Sequence, residues 1–523
     1  MDPASIVREV DGRVTDVDAL AVVSDLHEDL GIPDHLRSTY LEELSGTLAS
    51  LAHKWHHGRH RSADLVDADF QTIEGAMTEG HPAFVANNGR IGFAATDHAA
   101  WSPEAGGDVH LVWVAVRRSL AHLSVAEDLT EEDLYAGELS EEDLAKFSLR
   151  LEAKGASRED YLLMPIHPWQ WDHKLAVTFA ADIARGDIIH LGPTSDRYRA
   201  QQSIRTFFNV DRPERCYVKT ALAIQNMGFL RGLSPKYMQG TPTINDWVAR
   251  VVAGDPELTA CGFRVLREVA AVGYTGDAYH ALGSSNPHTK MVAALWRESP
   301  LPKLAAGERV LSMTALLHRD AEGTALISEL IADSPLTAGE WVRRWLRAYL
   351  RPVVHCLGVH DLAFMPHGEN VILVLEDHAP TGVFMKDIGE EVVVMSAERE
   401  LPEEIERIRH PLDPEVQSLS ILTDVIDGVL RFVAEILDDD GVLAEATFWA
   451  LVADCIREHA EEHPRAARLD LLRPSFEHSC LNRLQLRNTL QMVDLTDPAG
   501  SLIIAGELDN PLHAASRVAV PAP

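Results

Sequence analysis

Apolar positions near the start of the chain recur with a spacing near 3.6 over residues 17–30 and 36–52. This spacing places apolar side chains on one face of a helix, so both stretches predict amphipathic helices. No strong strand pattern interrupts them. The first part of the chain, residues 1–79, is therefore predicted to form a small helical domain.

The pattern changes at Gly80, where Gly, Pro and Asn become frequent and the apolar runs become short. Residues 108–116 and 161–171 contain β-branched and aromatic runs that predict strands. The acidic stretch 128–143 between them predicts a solvated excursion, and residues 243–350 are predicted to be mostly helical. Later, segments 341–356, 419–437 and 444–460 predict helices again.

Residues 364–389 predict a β-hairpin with polar groups at its open end. Residues 371–376 and 383–385 are apolar runs, and the DHAPTG segment at 377–382 supplies turn residues. A turn centred near Ala379-Pro380 would pair Asn370 with Gly389.

This pairing would bring His367, Glu369 and Asn370 from the first strand beside Asp387 from the second. Carboxylate and amide oxygens suit Mg²⁺, so Glu369, Asn370 and Asp387 are candidate metal ligands. His367 would lie where it touches a nucleotide phosphate. The alternative is a surface hairpin with ordinary polar flanks.

Composition indicates a multi-domain globular protein. The chain has 523 residues, of which 46% are hydrophobic, and its mean hydropathy is -0.08. About three domains of ~150 residues are expected for this length. The sequence contains no apolar run of bilayer length and no basic, apolar leader, so we expect neither membrane insertion nor export. Five scattered cysteines without a CxxC pair indicate reduced thiols in a cytoplasm.

The formal net charge of -33 disfavours nucleic acid and anionic membranes as partners. It also makes any cluster of cations conspicuous. Such a cluster lies at Arg205, Lys219 and Arg231, with the hydroxyl groups of Ser203 and Thr206 beside it. Two strands presenting Arg205 and Lys219 would clamp a triphosphate, and Ser203 is expected to share a strand face with Arg205. The chain has neither a Walker A nor a GxGxxG motif.

Two further motifs offer candidate ligands for a substrate carboxylate. His81 and Arg90 belong to GHPAFVANNGRIGF at 80–93, and His167 and Gln170 belong to HPWQ. Arg90 would hold a carboxylate or phosphate through charge-assisted hydrogen bonds. The alternatives are a turn with a capping histidine for His81 and a buried, hydrogen-bonded histidine for His167.

Taken in order, these motifs resemble those of the siderophore synthetases that work independently of nonribosomal peptide synthetases, the IucA/IucC family. The shared pieces are GHPxxxxxxxRxGF, HPWQ, SxRT at 203–206, the Lys219 and Arg231 pair, and HGxN at 367–370 followed by Asp387. The resemblance implies an α+β fold likened to a cupped hand. Its parts would be a helical thumb (1–79), β-rich fingers (80–330) and a kinase-like palm (331–523).

Within the family, the chain looks most like the desferrioxamine and alcaligin type. Where the citrate-using branch has a second His-Pro and a lysine, this chain has Phe84-Val85 and Asn88. The implied reaction uses ATP and Mg²⁺ to adenylate the carboxylate of an N-hydroxy-N-succinyl diamine, which then condenses with an amine. Repetition of this step would give a hydroxamate siderophore, which the enzyme would also close into a macrocycle.

The resemblance also assigns roles. The residues implied to bind the nucleotide are Ser203, Arg205, Thr206, Lys219, Arg231, His367, Glu369 and Asp387, and those implied to act in catalysis are Arg205, Lys219 and His367. Substrate binding is implied for His81, Arg90, His167 and Gln170. Metal binding is implied for Glu369, Asn370 and Asp387. A cytoplasmic homodimer is implied, acting on small molecules. The rival readings are a citrate or 2-oxoglutarate amide synthetase, a kinase-like phosphotransferase, and a non-catalytic siderophore-binding protein.

Overall fold

The computed structural model of the protein describes residues 5–57, 60–78, 80–283, 286–487 and 503–515. Parts of the predicted thumb and the last residues of the predicted palm lie outside these ranges. The three-part division of the chain stays a prediction.

The N-terminal helices are confirmed. The 17–30 and 36–52 patterns correspond to helices Ala19–Asp25 and Asp34–His57, and Ser62–Leu65 and Phe70–Ala76 follow. Asp18 and Asp69 accept hydrogen bonds from the first free backbone N–H groups of their helices, which fixes where these helices begin. A short strand pair precedes them, Arg8–Val10 with Arg13–Thr15.

A three-stranded antiparallel sheet follows, with Val112–Arg117 between Tyr161–Ile166 and Ile188–Pro193. The two predicted strands therefore exist and pair with each other. The stretch 128–143 is solvated on its acidic side, as predicted, but it is helical rather than irregular, with helices Glu131–Glu138 and Glu141–Glu152. Acidic residues fill the first turn of each helix, where they stabilise the positive end of the helix dipole.

A six-stranded antiparallel sheet forms one wall of the functional site. In spatial order its strands are Ala121–Val125, Glu268–Tyr274, Ala293–Arg297, Tyr217–Thr220, Thr206–Asn209 and Tyr198–Ala200. The mostly helical prediction for 243–350 missed the strand Glu268–Tyr274, and the second strand of this sheet within that stretch is Ala293–Arg297. Both of these central strands are buried along their whole length, so they lack the alternation that marks a strand with one exposed face.

A four-stranded sheet forms the opposite wall, in the order Phe263–Val265, Ala379–Met385, Val371–Glu376 and Glu308–Ser312. The predicted hairpin is its centre, but the turn lies at Asp377-His378, not at Ala379-Pro380. Both turn residues have left-handed backbone angles, φ 48° and 61°, as a two-residue hairpin turn requires. The register therefore differs from the predicted one, and Lys386 N–H donates to Asn370 O at 3.0 Å.

Helices surround this second sheet and complete its core. Trp341, Trp345 and Tyr349 are fully buried there. The predicted helices at 341–356, 419–437 and 444–460 are confirmed, with breaks at Tyr349 and within 422–430, which is π-helical. The helices of this part are Leu326–Asp333, Ala338–Ala348, Leu350–His360, Ile388–Glu391, Pro414–Gln417, Leu419–Ile421, Leu422–Leu430, Arg431–Asp439, Glu445–Glu462, Leu481–Arg487 and Pro511–Ala515.

The remaining elements connect these layers. Three short strand pairs are Leu222–Asn226 with Phe229–Arg231, Leu362–Ala363 with Val393–Val394, and Ser475–Ser479 with Ile504–Asp509. The remaining helices of the middle region include Ala95–Trp101, Pro168–Gln170, Trp171–Leu175, Ala176–Thr178, Ala180–Ala184, Pro235–Met238, Thr241–Ala253 and Pro256–Ala260.

Candidate active site

A cavity of about 240 Å³ lies between the six-stranded sheet and the hairpin. Ten of the thirteen residues predicted from sequence line it. They are His81, Ser203, Arg205, Thr206, Lys219, Arg231, His367, Glu369, Asn370 and Asp387. Cations from the middle of the chain therefore face acidic and amide groups from its final third.

Lys219 occupies the centre of one wall. It lies on strand Tyr217–Thr220, directly opposite Thr206. Its ammonium donates to Asp387 Oδ1 at 2.8 Å and to Glu390 Oε2 at 3.0 Å. Burial alone would lower the pKa of Lys219, but these two carboxylates overcome it and raise the pKa above its usual range. Lys219 is therefore charged at every physiological pH.

Arg205 reaches the cavity from a turn rather than from a strand. Ile204 has a left-handed backbone, φ 56°, and Arg205 N–H donates to Ser203 O at 2.8 Å. The prediction that Ser203 and Arg205 share a strand face was therefore wrong, since the strand begins only at Thr206. Arg205 Nη1 donates to Gly232 O at 2.6 Å, which holds the guanidinium beside the second cation, Arg231.

Arg231 is a half-buried cation, and the acidic residues near it do not offset its desolvation. Burial, and then the nearby charge of Arg205, lower its pKa to about 10. Its Nε donates to Asn226 Oδ1 at 3.0 Å, a neutral acceptor. An anion bound between the two guanidinium groups would offset the electrostatic cost of placing these two cations side by side.

Asp387 lies on the opposite wall, in a left-handed backbone conformation with φ 59°. Besides Lys219, it contacts Arg297 Nη1 at 3.2 Å and Lys386 Nζ at 3.5 Å. Burial opposes ionisation, but Lys219, Arg297 and Lys386 together hold the pKa of Asp387 well below its usual range. The carboxylate is therefore ionised even before a ligand binds.

Glu391 is crowded by other carboxylates. Burial, followed by the charge of Asp387, raises the pKa of Glu391 to about 8, although Lys219 opposes the shift. The side-chain amide of Asn370 donates to Glu391 and also to Met365 O at 3.1 Å. A divalent cation in this region would favour the ionised form of Glu391.

Two neutral histidines close one end of the cavity. The rings of His81 and His367 lie 4.5 Å apart between centroids. Burial lowers the pKa of both, and His81 lowers that of His367 further. The backbone N–H of Ala83 donates to His81 Nδ1 at 3.2 Å, so His81 carries its proton on Nε2. Both residues act as hydrogen-bonding groups rather than as cations.

Several buried polar atoms of the cavity lining have no partner among the described residues. These atoms are Ser203 Oγ, Arg297 Nε and His367 Nδ1. An unpaired buried polar group costs about 1–3 kcal/mol. A polar ligand that reaches these atoms would recover part of this cost.

Arg90, His167 and Gln170 lie outside the cavity lining, and their contacts are structural. Arg90 makes a bidentate ion pair with buried Glu104 at 2.6 and 3.0 Å. Gln170 accepts a hydrogen bond from Ala223 N–H and donates to Met291 O. These three residues were predicted to bind the substrate, but the structure places them outside the cavity. Their hydrogen bonds and ion pair join the segments around it.

His167 is fully buried and caps a helix. The backbone N–H of Trp169 donates to its Nδ1 at 3.0 Å, and its ring packs against Trp101 and Phe207. This is the buried-histidine alternative considered above. Burial lowers the pKa of His167 to about 3.

We expect this histidine to make the protein acid-sensitive. Between pH about 6.5 and about 3 the unfolded chain binds a proton at His167 that the folded chain does not. Its contribution is fully present above pH 6.5 and is lost as the pH falls towards 3, up to ~5 kcal/mol. In His167→Asn, whose side-chain oxygen still caps Trp169, the free energy of unfolding should depend less steeply on pH. Urea unfolding between pH 7 and 4 measures this, and identical slopes would contradict it.

Sequence reasoning missed several cavity residues. Lys386, Glu390 and Glu391 flank the Asp387-Ile388-Gly389 motif, and Glu74 comes from the N-terminal helix Phe70–Ala76. Arg297 also lines the cavity, where it forms an ion pair with Asp387. The position of Lys386, Glu390 and Glu391 next to Asp387 in the sequence was the one feature that could have predicted their place in the cavity.

Comparison with known proteins places this geometry in a family. Residues 69–318 match the IucA / IucC family model, and residues 339–494 match the model for ferric iron reductase FhuF-like transporters. Putrebactin synthase of Shewanella sp. (strain MR-4) is 47% identical over 508 residues, which cover 96% of this chain and 81% of that protein. The chain belongs to the IucA/IucC family of siderophore synthetases.

Other members support the same assignment. The rhizobactin siderophore biosynthesis protein RhbF of Rhizobium meliloti (strain 1021) is 31% identical over 98% of this chain and 87% of its own length. The structure of aerobactin synthetase IucC from Klebsiella pneumoniae matches with a TM-score of 0.84 at 27% identity, covering 97% of this chain and 88% of that one. The expected α+β synthetase fold is thus confirmed, and the chain is an enzyme that forms amides in siderophore synthesis.

The region described by the structure contains no helix that is both long and apolar enough to span a membrane. Its five cysteines are unpaired.

Proposed function

We propose that this synthetase uses ATP to adenylate the carboxylate of an N-hydroxy-N-succinyl diamine and then joins it to an amine. The observation that carries the proposal is the convergence of Arg205, Lys219 and Arg231 on one cavity with His367 and Asp387. The likeness to putrebactin synthase supports amide formation in siderophore synthesis. Homodimerisation and a cytoplasmic location stay predictions from the family resemblance.

The triphosphate of ATP would lie against the cationic wall. Arg205 presents a buried guanidinium group there and Arg231 a half-buried one, and the Ser203 hydroxyl has no other partner among the described residues. Charge-assisted hydrogen bonds from arginine to phosphate are among the strongest polar contacts in proteins. The nucleotide thus supplies the acceptor atoms that this wall lacks.

The cavity also suits Mg²⁺. Its lining holds five cations and five carboxylates: Arg205, Lys219, Arg231, Arg297, Lys386, Glu74, Glu369, Asp387, Glu390 and Glu391. With every one of these groups ionised their charges cancel, so a triphosphate would need further positive charge to enter. Glu369, Asp387 and Glu391, with the amide oxygen of Asn370, offer the hard oxygen ligands that Mg²⁺ prefers. When bound, Mg²⁺ neutralises phosphate charge.

Activation is a displacement at the α-phosphorus. A substrate carboxylate oxygen bonds to this phosphorus, the bond to the bridging oxygen breaks, and pyrophosphate leaves with the electron pair. Arg205, Lys219 and Arg231 stabilise the negative charge on the phosphates. His367 was predicted to neutralise this charge, but its lowered pKa makes it a neutral hydrogen-bonding group. Much of the rate comes from holding the two reactants in line.

The structure changes one part of the argument for a hydroxamate substrate. Phe84 lines the cavity and narrows it with an apolar ring. Asn88 does not line it, since its backbone N–H donates to Thr47 Oγ1 in the helix Asp34–His57. The case against a citrate-like polycarboxylate therefore rests on Phe84 and on the relative, and no longer on Asn88.

The products of the reaction test the proposal. We expect incubation with ATP, Mg²⁺ and N-hydroxy-N-succinyl-putrescine, or its cadaverine analogue, to release AMP and pyrophosphate and to give oligomeric or cyclic amides. Mass spectrometry and a pyrophosphate assay measure both. Citrate with an amine is the matched control substrate and should give little product.

Release of ADP with a phosphorylated product would instead identify a kinase-like phosphotransferase. The Asp387-Ile388-Gly389 segment after the hairpin resembles the Asp-x-Gly that holds metal in protein kinases. Citrate amides as the main product would identify the citrate-using branch. Absence of ATP binding would favour a siderophore-binding protein.

A further inference from the structure

A second cavity of about 220 Å³ adjoins the first. His81 and His367 line both cavities, so their paired rings form the partition between them. The far side of the second cavity is formed by Thr423, Asp424, Asp427 and Gly428. None of these four residues was singled out from sequence, and the adenylation step does not use them.

The second cavity has an acidic floor. Asp427 is partly neutralised by Arg431 Nη1 at 3.1 Å and approaches His478 Nε2 at 3.9 Å. Asp424 forms no hydrogen bond or ion pair with any residue that the structure describes. A carboxylate so placed would stabilise a cationic ligand.

Two further features of this wall indicate a ligand. The hydroxyl of Thr423 is buried and has no partner among the described residues, yet Thr423 lines the cavity. Residues Leu422–Leu430 form a π-helix in the middle of a longer helical segment. π-Helical segments are rare in proteins, and those that occur often lie at functional sites.

We propose that this second cavity binds the acceptor substrate through its primary ammonium group, with Asp424 and Asp427 as its anionic ligands and Asp424 as the base that activates it. This inference rests on the proposed function, because it assigns the acceptor of the second half-reaction. The donor carboxylate and ATP occupy the first cavity, and the acceptor amine approaches from the other side of the His81–His367 partition.

The second half-reaction begins with a proton transfer. The bound ammonium gives one proton to Asp424 and becomes a neutral amine. Its nitrogen bonds to the acyl carbon of the adenylate, and the bond from this carbon to the AMP oxygen breaks with its electron pair going to AMP. The second nitrogen proton leaves to water, and Asp424 returns its proton to solvent.

The environment of Asp424 suits this role. Burial raises its pKa to about 7, close to the value at which a general base works best near neutral pH. The titratable and charged groups around it are Asp427 and Arg431 along the same helical segment, His81 and His367 at the partition, His478 on strand Ser475–Ser479, and buried Tyr349.

Asp424→Asn and Asp427→Asn test the proposal, because they keep the side-chain shape and remove the charge. Asp439→Asn, at an exposed position in the helix Arg431–Asp439, is the matched control. We expect Asp424→Asn to lower kcat/KM for the amine by about 10²-fold or more. Asp427→Asn should mainly raise KM for the amine.

Adenylation is measured separately, as pyrophosphate release in the presence of hydroxylamine with a donor whose amine is acetylated. Hydroxylamine needs no ammonium site, so this rate should be unchanged in all three variants. In the wild type, kcat/KM for the amine should rise with pH through about 7, and Asp424→Asn should lack this rise.

Each outcome is distinct. If the wild type releases no pyrophosphate, the proposed function fails. If it adenylates the donor but both cavity variants keep the wild-type amine kinetics and pH profile, the acceptor site is refuted. Loss of adenylation together with amide formation in Asp424→Asn would mean a structural role and would also overturn the proposal.

Discussion

Replacing Arg205 with alanine is expected to lower the rate of adenylate formation by about 10²- to 10³-fold. Arg205 presents a buried guanidinium to the cavity, where water screens charge poorly. The substitution removes a cation that stabilises phosphate charge as pyrophosphate leaves. Pyrophosphate release with saturating ATP and donor measures the effect.

The effect on folding should be small by comparison. Among the residues that the structure describes, Arg205 makes one side-chain hydrogen bond, to Gly232 O, and no ion pair. Loss of this bond costs about 1–3 kcal/mol, which urea unfolding can detect. Arg199→Ala is the control, because Arg199 lies on the neighbouring strand Tyr198–Ala200 with its side chain 42% exposed beside Asp108. Wild-type turnover in Arg205→Ala would refute its assignment.

Sequence alone could predict which side chains meet because the meeting residues belong to short polar motifs at the ends of apolar runs. The motif at 203–206 leads into the strand that begins at Thr206, and HGEN precedes the first strand of the hairpin. Such positions place polar groups at sheet edges whatever the detailed register. The error of two residues in the hairpin turn therefore did not separate Asp387 from Asn370 or Lys219.

The same reasoning failed for Arg90, His167 and Gln170. These residues also lie in polar motifs beside strands, but their partners are buried backbone groups and Glu104. A buried backbone N–H or carbonyl must be paired, and a polar side chain in a motif can meet that need as well as bind a ligand. Nothing in the local sequence separates the two uses, because the partner comes from a distant segment.

The acidic pair Glu390-Glu391 shows a related limit. In sequence it looks like an ordinary charged surface pair. In the structure, the left-handed backbone of Asp387 begins the short helix Ile388–Glu391 and directs both carboxylates into the cavity. Gly389 has no side chain there, which allows its N–H to approach Glu268 Oε2 at 2.8 Å. A Cβ at Gly389 would lie 2.4 Å from Thr241 Cγ2, so the close approach requires glycine.

Replacing Lys219 with methionine is expected to abolish adenylation and also to destabilise the fold. Methionine keeps the apolar stem but removes the ammonium that compensates Asp387 and Glu390. Breaking a buried ion pair in this way costs about 3–5 kcal/mol, because the remaining charges stay buried without a partner. Urea unfolding and pyrophosphate release measure the two effects. Lys303→Met, whose ammonium pairs with Glu298 at a partly exposed site, should change stability by only about 0–1 kcal/mol.

A double variant separates stability from catalysis. Lys219→Met combined with Glu390→Gln removes the carboxylate whose one ion pair among the described residues is with Lys219, whereas Asp387 still has Arg297 and Lys386. We expect this variant to recover much of the lost free energy of unfolding but none of the adenylation. If activity returned together with stability, Lys219 would serve only to hold the two walls together. Because the same ammonium joins the six-stranded sheet to the Asp387 wall and faces the phosphate site, persistent inactivity in a stable protein would establish its part in the chemistry.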